Sequence, residues 1–232
     1  EHRRSRHAQV ELARHRQIAG ELRILEVADA GRLHARFGQP VVEPCGNAVA
    51  QVLYGDYNPS GKLPMSFPRN VGQVPIYYNN YSTGRPVNAD KNVFWSHFTD
   101  VEKTPLYPFG FGLSYTTFDY KNLKINKTAF AKGEPVVVSV DVTNSGNYDG
   151  KEVVQLYIHD YAASLARPVK ELKGFELVHL KKGETKTVTL TLTEKELGFY
   201  DNNGNYLVEA GTFKIMVGGS SDKGLESGFE LQ

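Results

Sequence analysis

At 232 residues the chain has room for one or two domains, and its 40% hydrophobic and 23% charged fractions are those of an ordinary globular protein. A formal net charge of +1 shows none of the basic excess of a nucleic-acid binder, and no apolar run is long enough to cross a bilayer. Neither nucleic acid nor membrane is therefore expected as a partner. The single cysteine, Cys45, excludes an internal disulfide framework and a multi-cysteine metal site, and no metal or cofactor is expected.

Residues 1–45 differ from everything after them. Eight of the eleven arginines lie between Arg3 and Arg36, whereas all sixteen lysines lie at Lys62 or beyond. The stretch holds four of the seven histidines and one aromatic residue, Phe37. It opens with no apolar core of a secretion signal, so none is expected in this chain. Three readings stand: a basic arm for acidic partners, a surface helix with a ragged apolar stripe from Val10 to Val27, or a segment outside the native reading frame. The expectation carried forward is a non-native or disordered Arg-rich segment.

Residues 46–116 read as part of an α/β unit. Ala48, Val49, Val52 and Leu53 recur at helical spacing, and Gly55 stands where a C-terminal cap belongs. Asn58-Pro-Ser-Gly61 is a turn, and Leu63–Phe67 is expected to be a short strand between prolines. Residues 70–104 form a long loop carrying Tyr77, Tyr78, Tyr81, Phe94, Trp95 and Phe98. Loops of that length in compact proteins are usually functional or disordered, and the aromatic density favours order. One helix and one or two strands cannot build a core alone.

From residue 117 onward period-2 alternation dominates. Val136, Val138, Val140 and Val142 share one face; so do Val154, Leu156 and Ile158, then Val188, Leu190 and Leu192, then Phe213, Ile215 and Val217. Each run is expected to be a strand with one buried face, Gln155, Tyr157 and His159 facing the other way. Turn signals separate them at Asn144-Ser-Gly146, Asp149-Gly150, Lys182-Gly183 and Asn203-Gly204, the last reading as a hairpin between Phe199-Tyr200 and Tyr206-Leu207. About seven short strands on this scale suggest an immunoglobulin-like or fibronectin type III-like sandwich, and the absence of a Cys…Trp…Cys pattern favours the latter. The fold expectation is mainly β: such a sandwich over 117–232, preceded over 46–116 by the C-terminal remnant of an α/β sandwich domain.

Gly55-Asp-Tyr-Asn-Pro-Ser-Gly-Lys-Leu-Pro64 and Pro105-Leu-Tyr-Pro-Phe-Gly-Phe-Gly-Leu-Ser-Tyr-Thr116 are similar to signatures of glycoside hydrolase family 3. Thr83-Gly-Arg-Pro86, Ser164 to Phe175 and Leu180 to Thr185 match in the same order. The series resembles the C-terminal part of a bacterial periplasmic β-glucosidase of that family and runs from Gly46 to the last residue. The resemblance implies a barrel, then an α/β sandwich, then a fibronectin type III-like domain. It also implies retaining hydrolysis of terminal β-glucosidic bonds, with a β-linked gluco-oligosaccharide as ligand of a periplasmic or secreted parent. Such chemistry needs an Asp nucleophile and a Glu acid/base about 5–5.5 Å apart. In the family both precede the residues matched here, so no catalytic residue is assigned and the chain alone is expected to be inactive. The pattern departs from the family at Gln39–Cys45, which lacks the usual Trp, and at Asn92–Asp100.

The aromatic loop 77–98 is open to two readings, a sugar subsite or a packed interdomain loop. For the first, Tyr81, Arg85 and Trp95 are the candidate substrate-binding residues, since aromatic faces stack on pyranose rings. Ser114, His159 and Asp160 lack a glycine-framed nucleophile elbow and are not read as a triad. Asp201-Asn-Asn-Gly204 lacks the spaced acidic ligands of a calcium loop. A free-standing immunoglobulin-like carbohydrate-binding or adhesion module remains the alternative function.

Overall fold

The computed structural model describes residues 42–82, 98 and 100–232. Most of the Arg-rich stretch therefore lies outside the described residues. Its last residues begin a helix, α1, over Val42–Tyr54, four positions ahead of the start expected at Gly46. Pro44 is no obstacle there, because the first-turn amides of a helix have no partner within it. Gly55, at φ +84°, ends α1 in the left-handed conformation that closes a helix.

No strand forms at Leu63–Phe67; this corrects the expectation. Instead the segment lies beside 106–111 with four separate contacts. Leu63 N donates to Phe111 O and Gly110 N to Leu63 O, each at 2.8 Å; Phe67 N donates to Tyr107 O and Leu106 N to Phe67 O at the same distance. Pro64, Pro68 and Pro108 have no amide proton, so the pairing cannot run on as a ladder and survives as one isolated bridge, Phe67 to Tyr107. The long loop is also less bare than its sequence implies: Val71–Gln73 is a 3₁₀ turn, and Tyr81 bridges Pro168.

Ten strands follow. They are β1 (Phe118–Ile125), β2 (Ala129–Phe130), β3 (Val136–Asn144), β4 (Gly150–Asp160), β5 (Glu171–Leu180), β6 (Thr185–Leu192), β7 (Phe199–Tyr200), β8 (Tyr206–Leu207), β9 (Gly211–Gly218) and β10 (Leu225–Leu231). A single-turn helix, α2 (Glu194–Leu197), is closed by a capping box between Thr193 and Glu196. One sheet has the order β1-β3-β6 and the other β2-β10-β9-β4-β5, with β7-β8 a separate hairpin. The hairpin pairs Phe199 with Leu207 and Tyr200 with Tyr206 around Asn203-Gly204, as its sequence predicts.

The two sheets close on one apolar core. Val136, Val138, Val140 and Val142 of β3 and Val188 and Leu192 of β6 face Val154, Leu156 and Ile158 of β4, Phe213, Ile215 and Val217 of β9, and Phe229 and Leu231 of β10. Four strands escaped the sequence pattern, of which β2, at two residues, is too short to show a period. In β1 the register slips between Lys121 and Lys124, where Asn122 takes φ +54°, and the slip breaks the period of Phe118, Tyr120, Leu123 and Ile125. In β5 a bulge opposite Leu156/Tyr157 does the same. Strand β10 carries Ser227 and Gly228 amid its apolar residues.

One expectation about faces is overturned. Every residue of β4 from Glu152 to Ile158 is buried, so β4 has two buried faces, and Gln155 and Tyr157 do not meet solvent.

Leu156→Ala deletes fully buried side-chain volume and is expected to cost about 2–5 kcal/mol in chemical denaturation, whereas exposed Thr189→Ala stays within about 0.5 kcal/mol. Asp141 Oδ1 accepts from Thr187 Oγ1 at 2.6 Å and Oδ2 from Asn122 Nδ2 at 2.8 Å. The Thr187 bond, then the Asn122 bond, holds this carboxyl below the usual aspartate range. A depressed folded-state value means that its contribution is present above the unfolded-chain value and is lost as pH falls through the folded one. Asp141→Asn is therefore expected to flatten the acid limb of the stability–pH curve, and carboxylate NMR is expected to show Asp141 titrating below an unstructured aspartate.

Candidate functional site

Polar and aromatic side chains of the described residues gather on the second buried face of β4, where parts of 58–82 and 106–111 lie against the sandwich. Successive outward positions of β4 are Val153, Gln155, Tyr157 and His159, because side chains alternate along a strand. Gln155 and Tyr157 hold parts of the cover, and His159 meets the Pro168 carbonyl of the sandwich itself.

Gln155 is buried, and its carboxamide is fully used. Nε2 donates to Gly110 O at 3.2 Å and to Gly219 O at 2.7 Å, while Oε1 accepts from Tyr157 Oη at 2.5 Å. Gly110 can come this close only because it lacks a side chain: its φ is +78°, and an added Cβ would lie 2.0 Å from Gln155 Oε1. Tyr157 is entirely buried, and desolvation drives its phenol pKa far upward. Its ring meets Tyr78 and Phe109 edge-on at 5.9 and 6.5 Å, and Tyr78 stacks on Phe109 at 4.2 Å. Leu172 N donates to Tyr78 Oη at 3.3 Å, and Ser221 N to Phe109 O at 2.9 Å. Lys170 lies below, its ammonium 5.9 Å from the Tyr157 ring centre and bonded to Ser221 O; burial pulls its pKa down.

At one end of the sandwich Lys62 enters from the cover. Its Nζ reaches Glu152 Oε2 at 2.9 Å, with side-chain exposures of only 9% and 6%. Tyr120 Oη donates to Glu152 Oε1 at 2.8 Å, and burial, then the Glu152 charge, keeps that phenol protonated. Asn58 pins the same end: Nδ2 donates to Asp149 O at 2.9 Å, and Oδ1 accepts from Ser114 Oγ at 2.9 Å and Tyr115 N at 2.8 Å.

Of the three sequence-predicted sugar-binding residues only Tyr81 is described. Its ring is more than half exposed, and its backbone is held at the Pro168 bridge. Arg85 and Trp95 lie outside the described residues. Ser114, His159 and Asp160 are each bonded elsewhere, to Asn58, Pro168 O and Ala162 N, and no hydrogen bond joins any two of them. The Asp201 carboxylate accepts from Asn203 N and Asn205 N at 2.8 Å, which makes it part of its own turn. Sequence reasoning missed Lys62, Glu152 and Gln155. The available signal was the run Val153–Ile158, apolar at both parities, which marks a strand covered on both faces.

The arrangement defines a fibronectin type III-like sandwich whose outer face carries the end of a preceding α/β unit. Two family models match in that order: the glycosyl hydrolase family 3 C-terminal domain over residues 43–115 and the fibronectin type III-like domain over 152–221. A periplasmic β-glucosidase of Salmonella typhimurium is 48% identical over 187 residues, 80% of this chain and 24% of that protein. A β-xylosidase of Formosa agariphila is 51% identical over 178 residues, 76% of this chain and 24% of the relative. Among solved structures, a β-glucosidase from Listeria innocua superposes with a TM-score of 0.77 at 42% identity, covering 81% of this chain and 26% of that one. Residues 43–115 match the C-terminal domain of glycosyl hydrolase family 3, and the chain spans about a quarter of the length of the relatives it matches.

Removing one partner of the Lys62–Glu152 pair leaves a buried charge alone. Lys62→Met is expected to cost about 3–5 kcal/mol, and Lys62→Met with Glu152→Leu to recover most of that loss. A double-mutant cycle in urea measures the difference; additive losses would show that the pair is not coupled.

Proposed function

We propose that this chain is the C-terminal part of a β-glucosidase that hydrolyses terminal β-glucosidic bonds of oligosaccharides in the periplasm or after secretion. In this reading residues 46–116 are the end of the α/β sandwich domain and residues 117–232 the fibronectin type III-like domain. The loop 77–98, with Tyr81, Arg85 and Trp95, lines a sugar subsite of the complete enzyme. The chain alone has no hydrolytic activity.

The observation that carries the reading is where the exposed apolar surface lies. Val49, Leu53, Tyr54, Met65, Val71, Val74, Tyr77 and Leu113 are each more than half exposed, whereas the large exposed side chains beyond residue 117 are three tyrosines, Tyr148, Tyr161 and Tyr200. Helix α1 therefore presents an apolar stripe that the described residues do not cover, and contiguous apolar surface of this kind marks an interaction site. A self-contained adhesion or glycan-binding module has no use for such a helix, and the family 3 match over 43–115 supports reading the segment as part of a larger enzyme.

The β-xylosidase relative, at 51% identity, favours a second reading in which the parent cleaves β-xylosides. Chromogenic β-glucoside and β-xyloside assays separate the possibilities. The 232-residue chain is expected to release no chromophore from either, and turnover by it would overturn the fragment reading. A parent extended from the upstream coding sequence is expected to prefer the glucoside; preference for the xyloside would move the assignment to the second reading. By hydrogen exchange, α1 amides in the isolated chain are expected to exchange orders of magnitude faster than those of Val140 and Ile215, because only the latter sit in a closed core.

A further inference from the structure

The outermost strands of a sheet turn backbone donors and acceptors towards empty space, and natural proteins blunt such edges. The two sheets of the sandwich have β1 and β6, and β2 and β5, at their edges. Strand β1 is interrupted where its register slips and Asn122 takes φ +54°. Strand β2 has two residues, and β5 is bulged and carries Glu171, Lys173 and Glu176. Strand β6 has none of these protections. Its register with β3 runs without a shift from Thr185 to Leu192, and it holds no proline, no glycine and one charge, Lys186. The orientation of its backbone follows from β3. Val137 O accepts from Asn126 N on the β1 side, and Asn144 N donates to Glu184 O on the β6 side. Amide and carbonyl turn to alternate sides along a strand, so the even-numbered residues of β3 bond their partners Lys186, Val188, Leu190 and Leu192. Thr185, Thr187, Thr189 and Thr191 therefore turn their amides and carbonyls outward, where no strand lies beside them among the described residues. All four are exposed.

We propose that the β6 edge pairs antiparallel with β6 of a second copy of this chain. The strand is complementary to itself. About a two-fold axis at Val188, Thr185 faces the partner's Thr191 and Thr187 faces the partner's Thr189, so every outward residue of one copy meets an outward residue of the other. At two bonds for each hydrogen-bonded pair, the four pairs make about eight backbone hydrogen bonds. Threonine then stands opposite threonine across the exposed face, a favourable cross-strand pair. Lys186 falls opposite the partner's Leu190, so no like charges meet. The sheet β1-β3-β6 continues directly into the same three strands of the partner. Because the contact is isologous and the other edges are blunted, association closes at two copies instead of growing into a fibre. A single strand pair buries less than the roughly 1,200 Å² at which standard interfaces begin, so the dimer is weak and forms with rising concentration. The proposal is independent of the β-glucosidase reading.

Sedimentation equilibrium of the 232-residue chain is expected to give a monomer–dimer midpoint on the order of 0.1 mM. Thr189→Pro removes one outward amide and leaves the β3 ladder whole, and is expected to weaken the dimer about tenfold or more. Thr189→Lys keeps the backbone intact and sets like charges diagonally across the two-fold axis, so the dimer is expected to weaken at low salt and to recover at high salt. Leu53→Glu interrupts the exposed stripe of α1 and is expected to leave the midpoint within about twofold of wild type. By hydrogen exchange the Thr187, Thr189 and Thr191 amides slow about tenfold as the chain becomes about nine-tenths dimeric, while Leu190, bonded to β3, is slow throughout. The Val140 and Ile215 amides report an intact core in every variant. A chain that stays monomeric at about 1 mM would overturn the proposal. So would a dimer lost in Leu53→Glu and kept in Thr189→Pro. Slow exchange of the three threonine amides in the dilute monomer would overturn it as well, because another segment of the chain would then hold the edge.

Discussion

Strand β4 has an outward face that requires a cover, and the rest of the molecule is arranged around meeting that need. Its inward residues Val154, Leu156 and Ile158 belong to the sandwich core. Its outward residues form a graded series: Val153 and Tyr157 offer apolar surface, Gln155 a carboxamide, His159 an imidazole donor. A buried carboxamide left without partners costs about 1–3 kcal/mol, so Gln155 alone makes an uncovered β4 unfavourable. Residues within 58–82 and 106–111 meet the demand with the Gly110 carbonyl and the Phe109 and Tyr78 rings, and the β9–β10 connection adds the Gly219 carbonyl.

The dependence runs in both directions. The cover has little order of its own to offer, because its prolines interrupt any ladder between Leu63–Phe67 and Leu106–Phe111. What fixes its path is contact with the sandwich: Asn58 on Asp149, Lys62 on Glu152, Phe109 on Ser221, Tyr78 on Leu172 and Asn80 on Val169. These ties span about ninety residues of sequence in the case of Lys62 and Glu152, and they are spread along the segment rather than gathered at one hinge. The boundary that the sequence places at residue 117 is therefore, in three dimensions, a broad shared face.

This explains which parts of the structure were legible in the sequence. Strands β3, β6 and β9 show their inward valines, leucines and aromatics at every second position, since each has a period undisturbed by bulges. The Asn203-Gly204 hairpin is written in its turn residues. Strand β4 was located but its faces were misread, because alternation says which residues share a side and nothing about what lies over that side. Strands β1 and β5 contain register slips, which erase the period that sequence reading depends on. Nothing in the sequence marks Lys62 and Glu152: a salt bridge between residues 62 and 152 leaves no local pattern, and only the fold brings the pair together. The Gly-Pro-aromatic runs, by contrast, were legible as ordered because their composition makes sense only on a fixed path.

The same geometry assigns the sandwich a larger part than that of an appended stabilising domain. A domain joined by a flexible linker would touch its neighbour over a small polar area, and losing it would leave the neighbour's loops where they were. Here β4, β5 and β9 serve as the floor on which parts of 58–82 and 106–111 are laid, and the edge at Pro168–Leu172 receives Tyr78, Asn80 and Tyr81. The path of Asn80–Tyr81 is tied to the sandwich, where Pro168 and Val169 meet them and His159 Nδ1 meets the Pro168 carbonyl. A substitution on the sandwich can thus shift Asn80 and Tyr81 without changing either residue, because the partners that hold them, Pro168 and Val169, belong to the sandwich.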